Sequence, residues 1–113
     1  MSYVIYSPNG VSISNPVPSI THTSGSPYYV TPDDNLICID AKNVDFFSVD
    51  LDTSSSFFTD GKTITVKDFT GYANVHPIRF TGSIDSSSIY QISSSYNSLT
   101  IFYYQPSGSW FTI

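Results

Sequence analysis

Glutamate is absent from this chain of 113 residues, and alanine, leucine, lysine, methionine, arginine and glutamine together number only 12. Those are the residues that lose least side-chain freedom in a helix, so little is left to build one. Positive charge is equally scarce: four lysines and arginines face nine aspartates, for a net charge of −5 and a pI near 4.4. No basic patch can be assembled to neutralise phosphates, which excludes a nucleic-acid protein held by counterion release. The one cysteine, Cys38, rules out an internal disulfide, and its place in Leu36-Ile37-Cys38-Ile39 predicts a buried, inert thiol. No apolar run approaches the roughly 18 residues of a membrane span, and no basic stretch precedes an apolar one near Met1. The chain reads as soluble, without a leader and without membrane insertion.

What is present is β-forming material. Val, Ile, Thr, Tyr, Phe and Trp make up 49 of the 113 residues, and such residues fit pleated, half-buried surfaces. A chain of this length is one domain that buries roughly two-thirds of its unfolded surface, enough for a core without staples. Tyr3 to Tyr6 and Val11 to Ile13 flank the turn Ser7-Pro8-Asn9-Gly10, a short hairpin. From Asn15 to Pro27 the chain is rich in Pro, Ser and Thr with little period, so residues 1–27 read as an N-terminal arm or connector. A compact β module then spans residues 28–113. Its strand signals are Tyr28 to Val30, Leu36 to Asp40, Phe47 to Leu51, Thr63 to Lys67, Ile78 to Thr81, Ile89 to Ile92, Leu99 to Tyr104 and Trp110 to Ile113. Phe47, Val49 and Leu51 alternate with Ser48, Asp50 and Asp52, the mark of a strand with one wet face. Asp60-Gly61 is a hairpin signal, and the serine runs at 54–56, 86–88 and 93–95 are solvated turns. About eight short strands so bounded predict an all-β, small antiparallel sandwich or barrel.

Nothing in this pattern carries catalysis. His22 and His76 lie at no metal-ligand spacing from each other or from Cys38, and a closed zinc site needs three or four convergent ligands. No Gly-x-Ser-x-Gly elbow marks an activated serine. Asp50 and Asp52 fall on the wet face of their strand, and Pro32-Asp33-Asp34-Asn35 lacks the spacing of a calcium loop. The expectation is no catalytic residue, no metal and no cofactor.

Aromatic residues are the exception to this blandness. Eighteen occur, several in adjacent sets: Tyr28-Tyr29, Phe46-Phe47, Phe57-Phe58, Phe102-Tyr103-Tyr104 and Trp110-Phe111. Neighbours in a strand face opposite sides, so each set puts a ring on each face. If one face packs the core, the other either lies as tyrosine belts flat on an exposed sheet or is a second buried face against another subunit or a ligand, with a subunit the favoured of these two partners. With only 13 charged residues to keep a second aromatic face wet, closed symmetry about a three-fold axis is one solution. Phe102, Tyr103, Tyr104, Trp110 and Phe111 are the candidate subunit interface. Tyr72, Tyr96 and Trp110 are candidate ligand or receptor contacts.

A turn motif completes the reading. In Lys67-Asp68-Phe69-Thr70-Gly71-Tyr72-Ala73, Asp68 can accept the Thr70 N–H as an Asx-turn. Gly71 takes a conformation that bulkier residues resist, and Ala73 lets two segments approach. These residues make a corner. The stretch Thr63-Ile64-Thr65-Val66-Lys67-Asp68-Phe69-Thr70-Gly71-Tyr72-Ala73-Asn74 resembles a pattern in bacteriophage tail-fibre, tailspike and related virion proteins. Further landmarks follow in the family's order: Pro77 to Gly82, Ile84-Asp85, Ile89-Tyr90-Gln91-Ile92, Tyr96 to Ile101 and Gly108 to Ile113. Upstream, Tyr28 to Asp40 resembles that module's opening strand pair, so the resemblance spans about residues 28–113. Ser86 stands where the family has glycine, Asn97-Ser98 where it has Tyr-Gly, and Phe57-Phe58 where it has Leu-Pro. The resemblance implies a trimeric, non-enzymatic fibre-head or capsid-surface module, located on the virion. Its partners are then its own copies, other virion proteins and a host surface glycan or protein. A lectin-like carbohydrate- or host-protein-binding module is the alternative.

Overall fold

The computed structural model describes residues 4–6, 12–14, 19–51 and 58–113. The turn expected at residues 7–10, Asp52, the serine run at 54–56 and Phe57 lie outside them. Eleven strands and no helix occur among the described residues. β1 (Val4–Tyr6) and β2 (Ser12–Ser14) pair antiparallel as a sheet of their own. β3 (Ile20–Thr23), β5 (Leu36–Ile39), β7 (Thr63–Asp68), β10 (Ser98–Tyr104) and β11 (Ser109–Thr112) form a five-stranded sheet, in the order β11-β10-β7-β5-β3. β4 (Tyr28–Tyr29), β6 (Phe47–Asp50), β8 (Ile78–Thr81) and β9 (Gln91–Ile92) form a four-stranded one in that order.

The connectivity departs from the antiparallel sandwich or barrel read in the sequence. From β3 to β8 the chain alternates strictly between the two sheets, and each strand lies parallel to the next one of its own sheet. Ile20 sits beside Leu36, and Leu36 beside Thr65; opposite them, Tyr28 sits beside Val49, and Val49 beside Phe80. The chain thus winds as a flattened coil of three rungs, one strand per sheet per rung. A parallel neighbour needs a long crossover, and here each crossover is the strand on the opposite sheet. Within these two sheets the antiparallel strand pairs come at the end, where β9 returns along β8, β10 along β7, and β11 along β10. Among the described residues neither sheet pairs its first strand with its last, so no barrel closes. Ile20–Thr23, within the expected connector, is the edge strand of the larger sheet.

Period-two patterning puts the core between the sheets. On β7, Ile64, Val66 and Asp68 are buried, while Thr63, Thr65 and Lys67 point out. On β6 and β8, Phe47, Val49, Ile78 and Phe80 turn inward, and Ser48, Asp50, Arg79 and Thr81 outward. Ile37, Ile39, Leu51, Ile84, Ile101 and Trp110 complete the fully enclosed layer. Asp60-Gly61 forms a turn, with Gly61 at φ +82°, but it leads into β7 rather than joining two paired strands.

Candidate functional site

The Lys67–Ala73 corner is built around a buried carboxylate. Asp68 ends β7 facing inward, where three backbone N–H groups donate to it: Gly71 at 3.2 Å, Ala73 at 3.0 Å and Tyr96 at 2.9 Å. The Thr70 N–H expected from an Asx-turn is not among these donors. The turn opens wider, and the Thr70 hydroxyl donates instead to Asp40 at 3.1 Å. A carboxylate so surrounded replaces its lost water with fixed donors, which is how a charge is tolerated at zero exposure. Gly71 has φ +83°, and a Cβ there would lie 2.5 Å from the Tyr96 ring, so the ring rests on bare backbone. Lys67 secures the same loop from outside: its Nζ donates to the Tyr96 carbonyl and stands 6.0 Å from the ring centre. Ala73 is packed in the core. The four motif residues thus converge, and they converge with Tyr96, which the sequence placed among ligand contacts.

Two more aspartates do the same work at other corners, and the sequence reading did not single them out for it. Asp34 is buried and accepts from the Thr21 hydroxyl at 2.8 Å, the Thr31 N–H at 2.8 Å and the Tyr28 phenol at 2.9 and 2.8 Å. It ties β3, β4 and the turn before β5 into one unit. Burial and the bond to Asp34 push the Tyr28 phenol up to about 12. Asp85 accepts from the Thr112 hydroxyl at 2.6 Å, the Thr112 N–H at 2.9 Å and the Tyr90 phenol at 2.8 Å. These donors, the Thr112 hydroxyl foremost, hold its carboxyl below the usual range, and Tyr90 is raised in turn. The signal for Asp34 was Thr31-Pro32-Asp33-Asp34, where the Asp34 N–H returns to the Thr31 carbonyl at 3.1 Å. All three carboxylates already hold several donors. Among the described residues no three His, Cys, Asp or Glu side chains converge on a metal-sized site. Cys38 is buried, and burial raises its thiol above the ordinary value. A pocket of about 310 Å³ between His22, Cys38, Asp40 and Phe69 opens beside it.

The aromatic sets divide by face. Trp110, at 2% exposure, packs in the core edge-on to Phe58, with ring centres 4.9 Å apart, and against Tyr103 at 5.3 Å. It is therefore neither a stacking platform nor a subunit contact, and Tyr103, at 5% exposure, leaves the interface set with it. Alternation sends Phe102, Tyr104 and Phe111 to the outer face, where Phe102 and Phe111 lie 5.9 Å apart and Tyr104 and Phe111 6.3 Å apart. Tyr104 is 45% exposed, and Ile113, whose N–H donates to the Thr100 carbonyl, is 78% exposed. Residues 86–113 contain no Asp, Glu, Lys or Arg. Tyr72 is exposed and stacks on His76 with centres 6.2 Å apart, and Tyr96 is exposed above Gly71. The chain matches no protein-family model and no curated protein.

Proposed function

We propose that this chain is a non-catalytic structural module of a virion, in a fibre head or on the capsid surface, serving virion architecture or host attachment as a homotrimer. The observation that carries the reading is the outer surface of β10 and β11. There Phe111 packs against both Phe102 and Tyr104 without a full cover, on a stretch of chain with no charge to keep copies apart. Contiguous apolar surface of this kind marks an interface, and identical subunits close it most simply by rotational symmetry. The stacked rungs also suit a module built to continue an elongated assembly. The resemblance of residues 28–113 to virion fibre proteins supports the same assignment, with other virion proteins and a host surface molecule as partners. For the carbohydrate-binding alternative, Tyr72 and Tyr96 stay available as exposed rings, whereas Trp110 does not.

Light scattering at micromolar concentration tests the assembly. A mass near three times 12.5 kDa is expected. A stable mass of one chain overturns the trimer. A glycan array separates attachment through carbohydrate from a purely architectural role.

A further inference from the structure

The outer face of the four-stranded sheet differs from the aromatic face across the core. Register places Ser48, Arg79 and Gln91 side by side in one row, on three adjacent strands, with Asp50 and Thr81 in the next row, where Thr81 but not Asp50 lines the groove. Arg79 is the chain's one arginine, and its guanidinium carbon lies 4.3 Å from the centre of the Phe46 ring. Phe46, 41% exposed, bounds one side of a groove of about 400 Å³, and Ile89, 85% exposed, bounds another. Ile89 is held there by the loop that Asp85 and Tyr90 brace, and its own N–H donates to the Ser87 hydroxyl oxygen at 3.3 Å.

We infer that this groove is a binding site for a carboxylate-bearing saccharide. A guanidinium lying on a ring uses its flat surface, which limits its freedom and keeps its N–H donors for a bidentate carboxylate. Ser48, Thr81 and Gln91 supply hydroxyl and amide groups that both donate and accept, as sugar hydroxyls require. Ile89 offers an apolar wall to the C–H face of a ring. The volume falls in the range of small-ligand sites, with a few convergent polar groups beside apolar walls. An acidic ligand must approach a chain of net charge −5, so its recognition depends on this local cation rather than on long-range attraction. The site lies on the opposite sheet from Phe102 and Phe111, so its failure and the failure of the trimer are separate results.

Saturation-transfer difference NMR on the full chain tests it, with methyl β-D-glucuronide as probe and methyl β-D-glucoside as the neutral control. Saturation of the glucuronide ring protons is expected, with the glucoside bound about tenfold more weakly, the ratio that one charge-assisted contact supplies. Arg79→Gln abolishes the glucuronide signal while the Trp110 emission, a reporter of the intact core, stays unchanged. Ile89→Ser, at an exposed loop position outside the strands, weakens the signal as well. No glucuronide signal, equal signals from the two glycosides, or a signal unaffected by Arg79→Gln each overturns the proposal.

Discussion

Asp68 is enclosed by the chain's own backbone, and Gly71 makes this possible because only a residue without a side chain fits under the Tyr96 ring at φ +83°. Gly71→Ala brings two costs, a left-handed alanine at about 1 kcal/mol and a methyl driven into the ring. In a Tyr96→Ala background only the first remains, so the same substitution is expected to cost measurably less there. Urea unfolding midpoints of the four proteins check this, and equal costs in both backgrounds would remove the ring from the account. Tyr28 makes a second residue-level prediction. Its folded value near 12 lies above the ordinary 10.0, so the protonated phenol stabilises the fold. That contribution is complete below pH 10 and is lost as pH rises through about 12. The unfolding midpoint is expected to fall across this window, and Tyr28→Phe to flatten the fall. Tyr90, raised by Asp85, leaves a smaller slope of the same sign.

At the scale of elements, alternation was legible and partnership was not. Phe47, Val49 and Leu51 announced the buried face of β6 and its continuation, and Lys67-Asp68 with Gly71 announced the corner after β7. Each adjacent aromatic set described here does split across its strand, as Tyr28 and Tyr29, Phe46 and Phe47, and Trp110 and Phe111 do in burial. Which member faces inward was not legible, because a period of two fixes only relative sides, and Trp110 fell on the core side. Nor could spacing reveal parallel neighbours, since Leu36 finds Thr65 only after the chain has crossed to the other sheet and back. Ile20–Thr23 carries one large apolar residue in four, so only its pairing with β5 marks it as a strand. The C-terminal strand yields a prediction of its own. β11 is an edge strand, and Asp85 clamps it through the Thr112 N–H and hydroxyl. Because the folded carboxyl is held below its ordinary 3.8, the clamp is present above that pH and lost as pH falls through the lowered value. Asp85→Asn tolerates the left-handed φ of 52° but surrenders one acceptor and the charge. Faster exchange of the Thr112 amide at neutral pH is the expected result, and unchanged exchange would assign the strand's order to its pairing with β10 alone.

At the scale of the whole molecule, the two outer faces are chemically unlike, and that difference makes the assembly testable by placing a charge. The larger sheet ends in Phe102, Tyr104, Phe111 and the exposed Ile113, whereas the smaller presents Ser48, Asp50, Arg79 and Thr81. Nothing in residues 86–113 offsets apolar contact with electrostatic repulsion, although the chain as a whole carries −5. An aspartate at the centre of a buried ring cluster loses its water without gaining a partner, a penalty of several kcal/mol per subunit, and closed symmetry repeats it at every interface. Phe111 contacts both Phe102 and Tyr104, so Phe111→Asp is the most disruptive single charge on this surface. Light scattering on that variant is expected to report 12.5 kDa in place of three times that mass. Thr81→Asp, on the opposite sheet, should leave the mass unchanged. Circular dichroism on both variants separates dissociation from unfolding, since Phe111 is only half-buried within its own chain and Trp110 beside it keeps the core. A folded Phe111→Asp variant that kept the mass of the unaltered protein would place the interface elsewhere and leave the ring cluster as a covering for β10 alone.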